Sequence, residues 1–503
     1  MRQHGPLSLS ARERAHAGLD EIGLRGFKTW AIGEDVGQPG LVQVGDAVQK
    51  LGAEFIWSKN HWRSVELEKL RAEGDGVADR ALDFLALKAK ADPLTTIDSK
   101  ARNDGNVKLL QKQLEAVPSW VDWDSVARGQ AFFRSHAAAA GISLLHLALV
   151  GGFSIPKVNK VLNSTGYLSR SEKESRRRVG ETSQMIVDCM QPGGLSPGTG
   201  MGWKSCIRVR FLHAKVRRRL RRSPRWHESD WGVPINQEDM CGTLLAFSYL
   251  VIEAVEVMGF RVSERERQDY MHLWRLIGFY SGISEKNNPC ISYEKGRAFL
   301  QSLIMHIFEP DDSSVALAHH MLHAGTGQRP FYWNFAQMCE MSRMLMGDTL
   351  ADALQLPPHS WWQCQLHKIG IAGLRMSVSL CHIPVIGPII GAAKWNFLQQ
   401  EILRMQGGQR TQFFMQHKPD AKMASILAGE SKDGSGKTKR SAGGILSRIF
   451  LSLCSLWKAC RKRHMRPVAM LLLLLLLLLV SRFRRSRRSR LLGILLMRNK
   501  NQK

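Results

Sequence analysis

The chain has 503 residues, 44% hydrophobic and 23% charged, which excludes a disordered or collagen-like protein and leaves room for one large domain or two ordinary ones. Its nine cysteines are scattered singly from Cys189 to Cys460 without a C-x-x-C pair, which argues against a zinc ribbon, an iron–sulfur site and a disulfide scaffold and for free thiols in a reducing compartment. The net charge of +27 points to nucleic acid only until its distribution is read: residues 431–503 hold 19 of the 71 Lys+Arg and one of the 44 acids, so +18 of the excess belongs to the C-terminal tail.

Residues 1–29 read as a charged helical lead-in, since acids weaken a transit peptide and no apolar core marks a secretory signal. From Glu54, EFIWSKNHW and the long-side-chain stretch after it read as helices, with Val77, Ala81, Phe84 and Leu85 at helical spacing. Ser125 to Val150 reads as one long alanine-rich helix holding His136 and His146, closed at Gly151-Gly152 by a left-handed cap. SRSEKESRRR then reads as a charged, exposed loop. Two helices follow, Arg178 to Met190 and Lys204 to Leu220, joined by the glycine- and proline-rich break QPGGLSPGTGMG. Arg178 and Thr182 are four apart and so share a helix face. Ile207, Phe211, Leu212, Val216 and Leu220 make an apolar stripe that runs through His213. A histidine in such a stripe is ordinarily a hydrogen-bonded core residue, although imidazole is also the commonest metal ligand.

The basic run His213 to Trp226 is the best nucleic-acid candidate in the domain, but it extends a helix with an apolar face and reads as a solvated surface. Asn236 to Gly259 is an apolar helix, and Ser263 with Glu266 forms a capping box. His319 and His323 have the i, i+4 spacing of a two-histidine metal face without an apparent third ligand. Met344 to Trp362 reads as a helix ended by Pro357-Pro358. No strand signal of length appears, so the fold class is all-α.

Arg375 to Phe397 is apolar but broken by Pro384 and Pro388, which suits a membrane-surface or packing segment. Asp420 to Gly444 is a Lys/Gly/Ser linker. Pro467 to Val480 is almost pure leucine and, at fourteen residues, is shorter than the roughly twenty of a straight span. Arginine clusters flank it, so a tail anchor or membrane-embedded hairpin is the expectation.

The order of these elements carries more than any one of them. R-x-x-x-T at Arg178 and Thr182, followed by RVRFLHAKVR around His213, resembles the catalytic domain shared by bacterial rubber oxygenase (latex clearing protein) and the ER-bound oxygenase of mycophenolic acid biosynthesis. VPSWVDWDSVARG from Val117, LVGGFSIPKVNKVLNSTGYL from Leu149, WGVPINQEDMCGTLLAFS from Trp231 and WRLIGFYSGI from Trp274 look like family segments in family order, so the resemblance runs from about Trp30 to Leu380. It implies a globin-like helical bundle core with additional helices over residues 30–400; by composition, a linker over 401–444 and a basic membrane-associated tail over 445–503 follow. It also implies that His213 is the proximal ligand of a b-type haem and that Arg178 and Thr182 line the pocket. One position departs: the family lysine before the threonine is Glu181 here. The family's upstream glutamate also has no counterpart, since Leu162 occupies the aligned region and Glu172 and Glu174 stand nearby.

The function implied is a haem-b-dependent oxygenase that uses dioxygen on an apolar, isoprenoid or lipid-like substrate, by oxidative cleavage of a C=C bond. His213 would hold the iron, with Arg178, Glu181 and Thr182 as the catalytic candidates. A membrane-associated intracellular location, such as an endomembrane, fits the tail, and a nucleic-acid partner is not expected. The alternative is a non-catalytic membrane-tethered haem carrier or sensor, which Glu181 keeps open.

Overall fold

A computed structural model of the chain describes residues 28–30, 42–85, 92–101, 103–166, 168, 171–385 and 387–411. The leucine run, the basic tail and most of the expected linker and lead-in lie outside the described residues. The described fold is overwhelmingly helical, as its composition and spacing require.

The chain enters through a small sheet: β1 (Lys28–Trp30) pairs parallel with β2 (Ala47–Lys50), which pairs antiparallel with β3 (Ala53–Ile56). This corrects the helical reading of EFIWSKNHW. Ala53 and Phe55 point one way into the core while Gly45 and Gly52 take positive φ at the turns. Four helices follow: α1 (Ser64–Arg71), α2 (Gly76–Leu85), α3 (Pro93–Lys100) and α4 (Gly105–Glu115).

The expected single helix over Ser125–Val150 is broken. α5 (Trp123–Ser135) stops at His136, and α6 (Ala137–Ser143), a π-helical turn (Leu144–Leu149) and α7 (Val150–Gly152) continue at 81° to it. The His136 ring bonds back to Phe132 O at 3.0 Å, the kind of local competition that interrupts a helix. No left-handed glycine closes this segment, because neither Gly151 nor Gly152 has positive φ.

α8 (Pro156–Thr165) ends at left-handed Gly166, and α9 (Glu172–Cys189) starts at Ser171, whose hydroxyl accepts the Glu174 N–H. The charged stretch read as a loop is therefore the opening of α9, with Glu172 and Glu174 placed where a helix N-terminus favours acids. α10 (Met201–Arg221) follows after the glycine-rich break, and then α11 (Glu228–Trp231).

The apolar segment after Asn236 is two helices, α12 (Gln237–Phe247) and α13 (Tyr249–Val257), separated at Ser248 by its non-helical backbone. By length and composition Gln237–Val257 would reach across a membrane, yet 61% of its most apolar window is buried in protein, so it is core. α14 (Glu264–Tyr280) opens with the expected Ser263/Glu266 capping box. Two single 3₁₀ turns lead to α15 (Tyr293–Ile307) and α16 (Asp312–Gly325). α17 (Phe335–Met346) and α18 (Asp348–Ala353) replace the expected single helix, parted by Gly347 at φ +86°, a break that comes well before the two prolines. α19 (Trp361–Leu380) and α20 (Gly387–Met405) complete the described chain.

One hydrophobic core threads these elements, from Val48 and Phe55 through Phe211, Tyr270 and Leu276 to Leu350 and Ile371. α5 lies along α14, and Gly129 permits the approach: a Cβ there would stand 2.6 Å from Asp269 O.

Candidate functional site

The site is organised by the antiparallel pair α9 and α10. The break between them is a tight turn, with Gly193 and Gly198 in the left-handed region and Trp203 N–H bonded to Gly194 O at 2.9 Å. Gly202 lies so close that a Cβ would come within 2.5 Å of Cys189 Cα, which only glycine avoids. At this end the two helices are joined by polar contacts as well as apolar ones. Ser205 Oγ donates to Asp188 Oδ2 at 2.8 Å, and the Cys189 and Cys206 sulfurs are 3.6 Å apart.

These contacts fix a register that reaches the candidate residues. Thr182 is seven residues before Cys189, and His213 is seven after Cys206, so each lies two turns along the facing side of its own helix. Arg178 and Met185 stand one turn either side of Thr182 on the same face of α9. Both Thr182 and His213 are half-buried. Arg178 donates to Glu181 Oε2 at 2.7 Å, and Glu181 is buried with Arg177 also near it at 3.8 Å. The opposite side of α9 is closed by residues 405–411: Gly180 abuts Met405, its carbonyl accepts from Gln406, and Gln184 exchanges two hydrogen bonds with Thr411.

The histidines separate on a single criterion. His136 Nδ1 is bonded to Ser135 and Phe132, His146 Nδ1 to Ser342 at 2.9 Å, and His319 Nε2 to the Leu354 and Gln355 carbonyls. These are satisfied structural histidines, and His323 is stacked on Phe335. Among the described residues, buried ring nitrogens without a hydrogen-bond partner occur only in His213 and His306, and His306 packs edge-on against Trp57. Burial, reinforced by the Arg217 guanidinium and opposed by Asp75, brings the His213 pKa down to about 4. The ring is therefore neutral at physiological pH, the form that ligates a metal.

Around His213 the face of α10 is heavily charged but compensated. Arg210, three residues before it, is buried and grips Asp75 with two bonds of 2.5 and 2.9 Å while also reaching Gln113. Arg217, four residues after it, is 1% exposed and bonds Asp79 and the Pro234 and Ile235 carbonyls. Arg218 pairs with Asp83 and Arg221 with Glu228. Within the basic run Asp79 of α2 draws Arg217 in, while Arg218 and Arg221 pair with their acids at exposed positions, on the solvated face that the sequence implies. The spacing of Arg210 and Arg217 around His213 was readable in the sequence; that their partners come from α2 was not. Two further buried polar atoms lack partners, Arg210 Nη1 and Tyr280 Oη, and burial raises the Tyr280 hydroxyl well above its usual pKa.

Apart from the small sheet the described fold is helical, and α10 carries an imidazole whose Nδ1 is buried without a partner. Residues 123–374 match the family described as "ER-bound oxygenase mpaB/B'/Rubber oxygenase, catalytic domain", and the chain belongs to that family. It is similar to the rubber oxygenase of Streptomyces sp. (strain K30), with 22% identity over 258 residues, 50% of this chain and 61% of that protein's length. The chain therefore matches less than two thirds of this relative. Its fold is like that of latex clearing protein in the closed state, with a TM-score of 0.50 and 18% identity over 66% of this chain and 91% of the other.

Proposed function

We propose that the protein is a haem-b-dependent oxygenase that cleaves a C=C bond of an apolar, isoprenoid or lipid-like substrate with dioxygen. The observation that carries this reading is His213, neutral and half-buried on α10, with its Nδ1 buried and without a hydrogen-bond partner. The donor set fits the group. An imidazole with a free buried nitrogen would suit the iron, and the guanidinium of Arg178, here paired with Glu181, would suit a haem carboxylate. When bound, haem b supplies the iron at which dioxygen is activated.

The residues of the chain then have separable tasks. His213 would hold the iron through a ring nitrogen, while Arg217, held by Asp79 and two carbonyls, keeps the helix turn behind it rigid. Thr182 presents a hydroxyl able to donate one hydrogen bond across the helix pair. Glu181, oriented by Arg178, supplies a carboxylate oxygen that accepts or returns a proton at the place where relatives carry lysine. The apolar residues of α10 and α14, Phe211 and Ile277 among them, exclude water from the surroundings.

A membrane-associated location is part of this reading. Trp362, Leu366, Ile369 and Met376 form an exposed stripe along α19, with Ile369 70% exposed, and Val385 and Ile389 extend it. A soluble surface rarely exposes so continuous an apolar face, whereas a membrane interface covers one. An apolar substrate is reached where it is dissolved.

The test is turnover. The full chain, loaded with haem and given an oligomeric isoprenoid under ¹⁸O₂, is expected to form carbonyl products carrying the label, and Glu181→Gln to lower the rate at least tenfold with the haem still bound. Haem binding without any labelled product from several olefins would instead support a carrier or sensor.

A further inference from the structure

Away from the α9–α10 pair, three side chains converge without an evident structural purpose. Glu340 is on α17, and His359 and Cys364 flank the start of α19. A carboxylate oxygen, a ring nitrogen and the thiol sulfur all lie within 4.8 Å of one another, the one grouping of its kind among the described residues. Glu340 and Cys364 are buried, while the His359 side chain is 43% exposed. One oxygen of Glu340 is used, since Oε2 accepts the Ser360 N–H at 2.9 Å. The other, Oε1, is 2.8 Å from His359 Nδ1 but out of hydrogen-bond alignment, and no donor satisfies it.

The charge balance makes this unusual. Buried Asp75, Glu181, Asp188, Glu238 and Asp269 each carry an arginine. Glu340 has no lysine or arginine partner among the described residues, and the nearest guanidinium on its helix, Arg343, is occupied by Asp348, Asp352 and the Leu356 and Pro357 carbonyls. A buried carboxylate without a permanent counter-charge is costly unless a cation joins it.

We propose that Glu340, His359 and Cys364 form a zinc site, separate from the haem ligand, that ties α17 to the start of α19. Thiolate, imidazole and carboxylate are the ligand types zinc accepts, and its tetrahedral geometry sets ligand atoms roughly 3–4 Å apart. The present spacing closes to that by small side-chain rotations. Binding converts the Cys364 thiol to thiolate and releases its proton to solvent. The fourth position, on the exposed side of His359, is left to water. Because α19 begins here with Trp361 and Trp362, the ion would brace the helix that carries the exposed apolar stripe.

The experiment is a competition titration of the full chain against a chromophoric zinc chelator, with Cys364→Ser, Glu340→Gln and His359→Ala beside it. One zinc per chain is expected in the wild type, bound at least tenfold more weakly in every variant. Cobalt(II) in the haem-free protein should give a thiolate charge-transfer band that Cys364→Ser abolishes. His359→Ala, at an exposed position, keeps the test valid if a buried variant misfolds. Equal zinc affinity in the wild type and His359→Ala, or no competition by the wild type, overturns the proposal.

Discussion

The two ends of the α9–α10 pair are finished in opposite ways. At the turn, Asp188 is held by Ser205 and Arg410, two thiols face each other, and Gly202 lets the backbones nearly touch. Two turns further along α10, His213 leaves its Nδ1 without a partner. Along α10 itself the contrast repeats, since Arg210 and Arg217 are supplied with acids and carbonyls while His213 between them is not. An unpaired buried polar group costs about 1–3 kcal/mol, and His213 Nδ1 carries that cost here.

This contrast is breakable, beginning with its largest expected effect. Asp75→Ala strands Arg210 and should destabilise the fold by about 3–5 kcal/mol in denaturant unfolding, and a loss below 1 kcal/mol would mean the charge network is not what fixes α10. Gly202→Ala attacks the closed end by steric conflict with Cys189 and should cost about 1–3 kcal/mol, read in the same way.

Acid sharpens the comparison from the other side. His61, His213 and His306 have pKa values lowered to about 4, mainly by burial. The unfolded chain therefore takes up these protons first. Stability is fully present above pH 6.5 and is lost as pH falls from there through 4, and His213→Ala should show a shallower fall than wild type. The smallest effect is Thr182→Val. At a site with no hydrogen bond to lose it should change stability by less than about 0.5 kcal/mol, while shifting the visible spectrum of the haem-loaded chain.

Much of this was legible in the sequence because helices announce themselves by spacing and caps. Ser263 and Glu266 cap α14 as read, and the all-α class holds apart from the small sheet at 28–56. The strand Ala53–Ile56 escaped because four residues are too few for alternation to register. The breaks at His136, Ser248 and Gly347 escaped because apolar periodicity continues through them; only tertiary packing decides where such a helix bends. His213 stood out by motif, but its distinction from His146 did not, since the His146 ring is bonded by Ser342, far away in the chain, which periodicity does not bring to it. Glu340, His359 and Cys364 form no local pattern and meet only through the packing of α17 on α19.

The most direct measurement of the central claim is the absorbance spectrum of the purified full chain after expression with added haem, beside His213→Ala and His146→Ala. The account predicts a Soret band in the wild type, retained in His146→Ala and lost or much weakened in His213→Ala, with all three proteins equally helical by circular dichroism. A band of equal strength in His213→Ala, or none in the wild type, would contradict it.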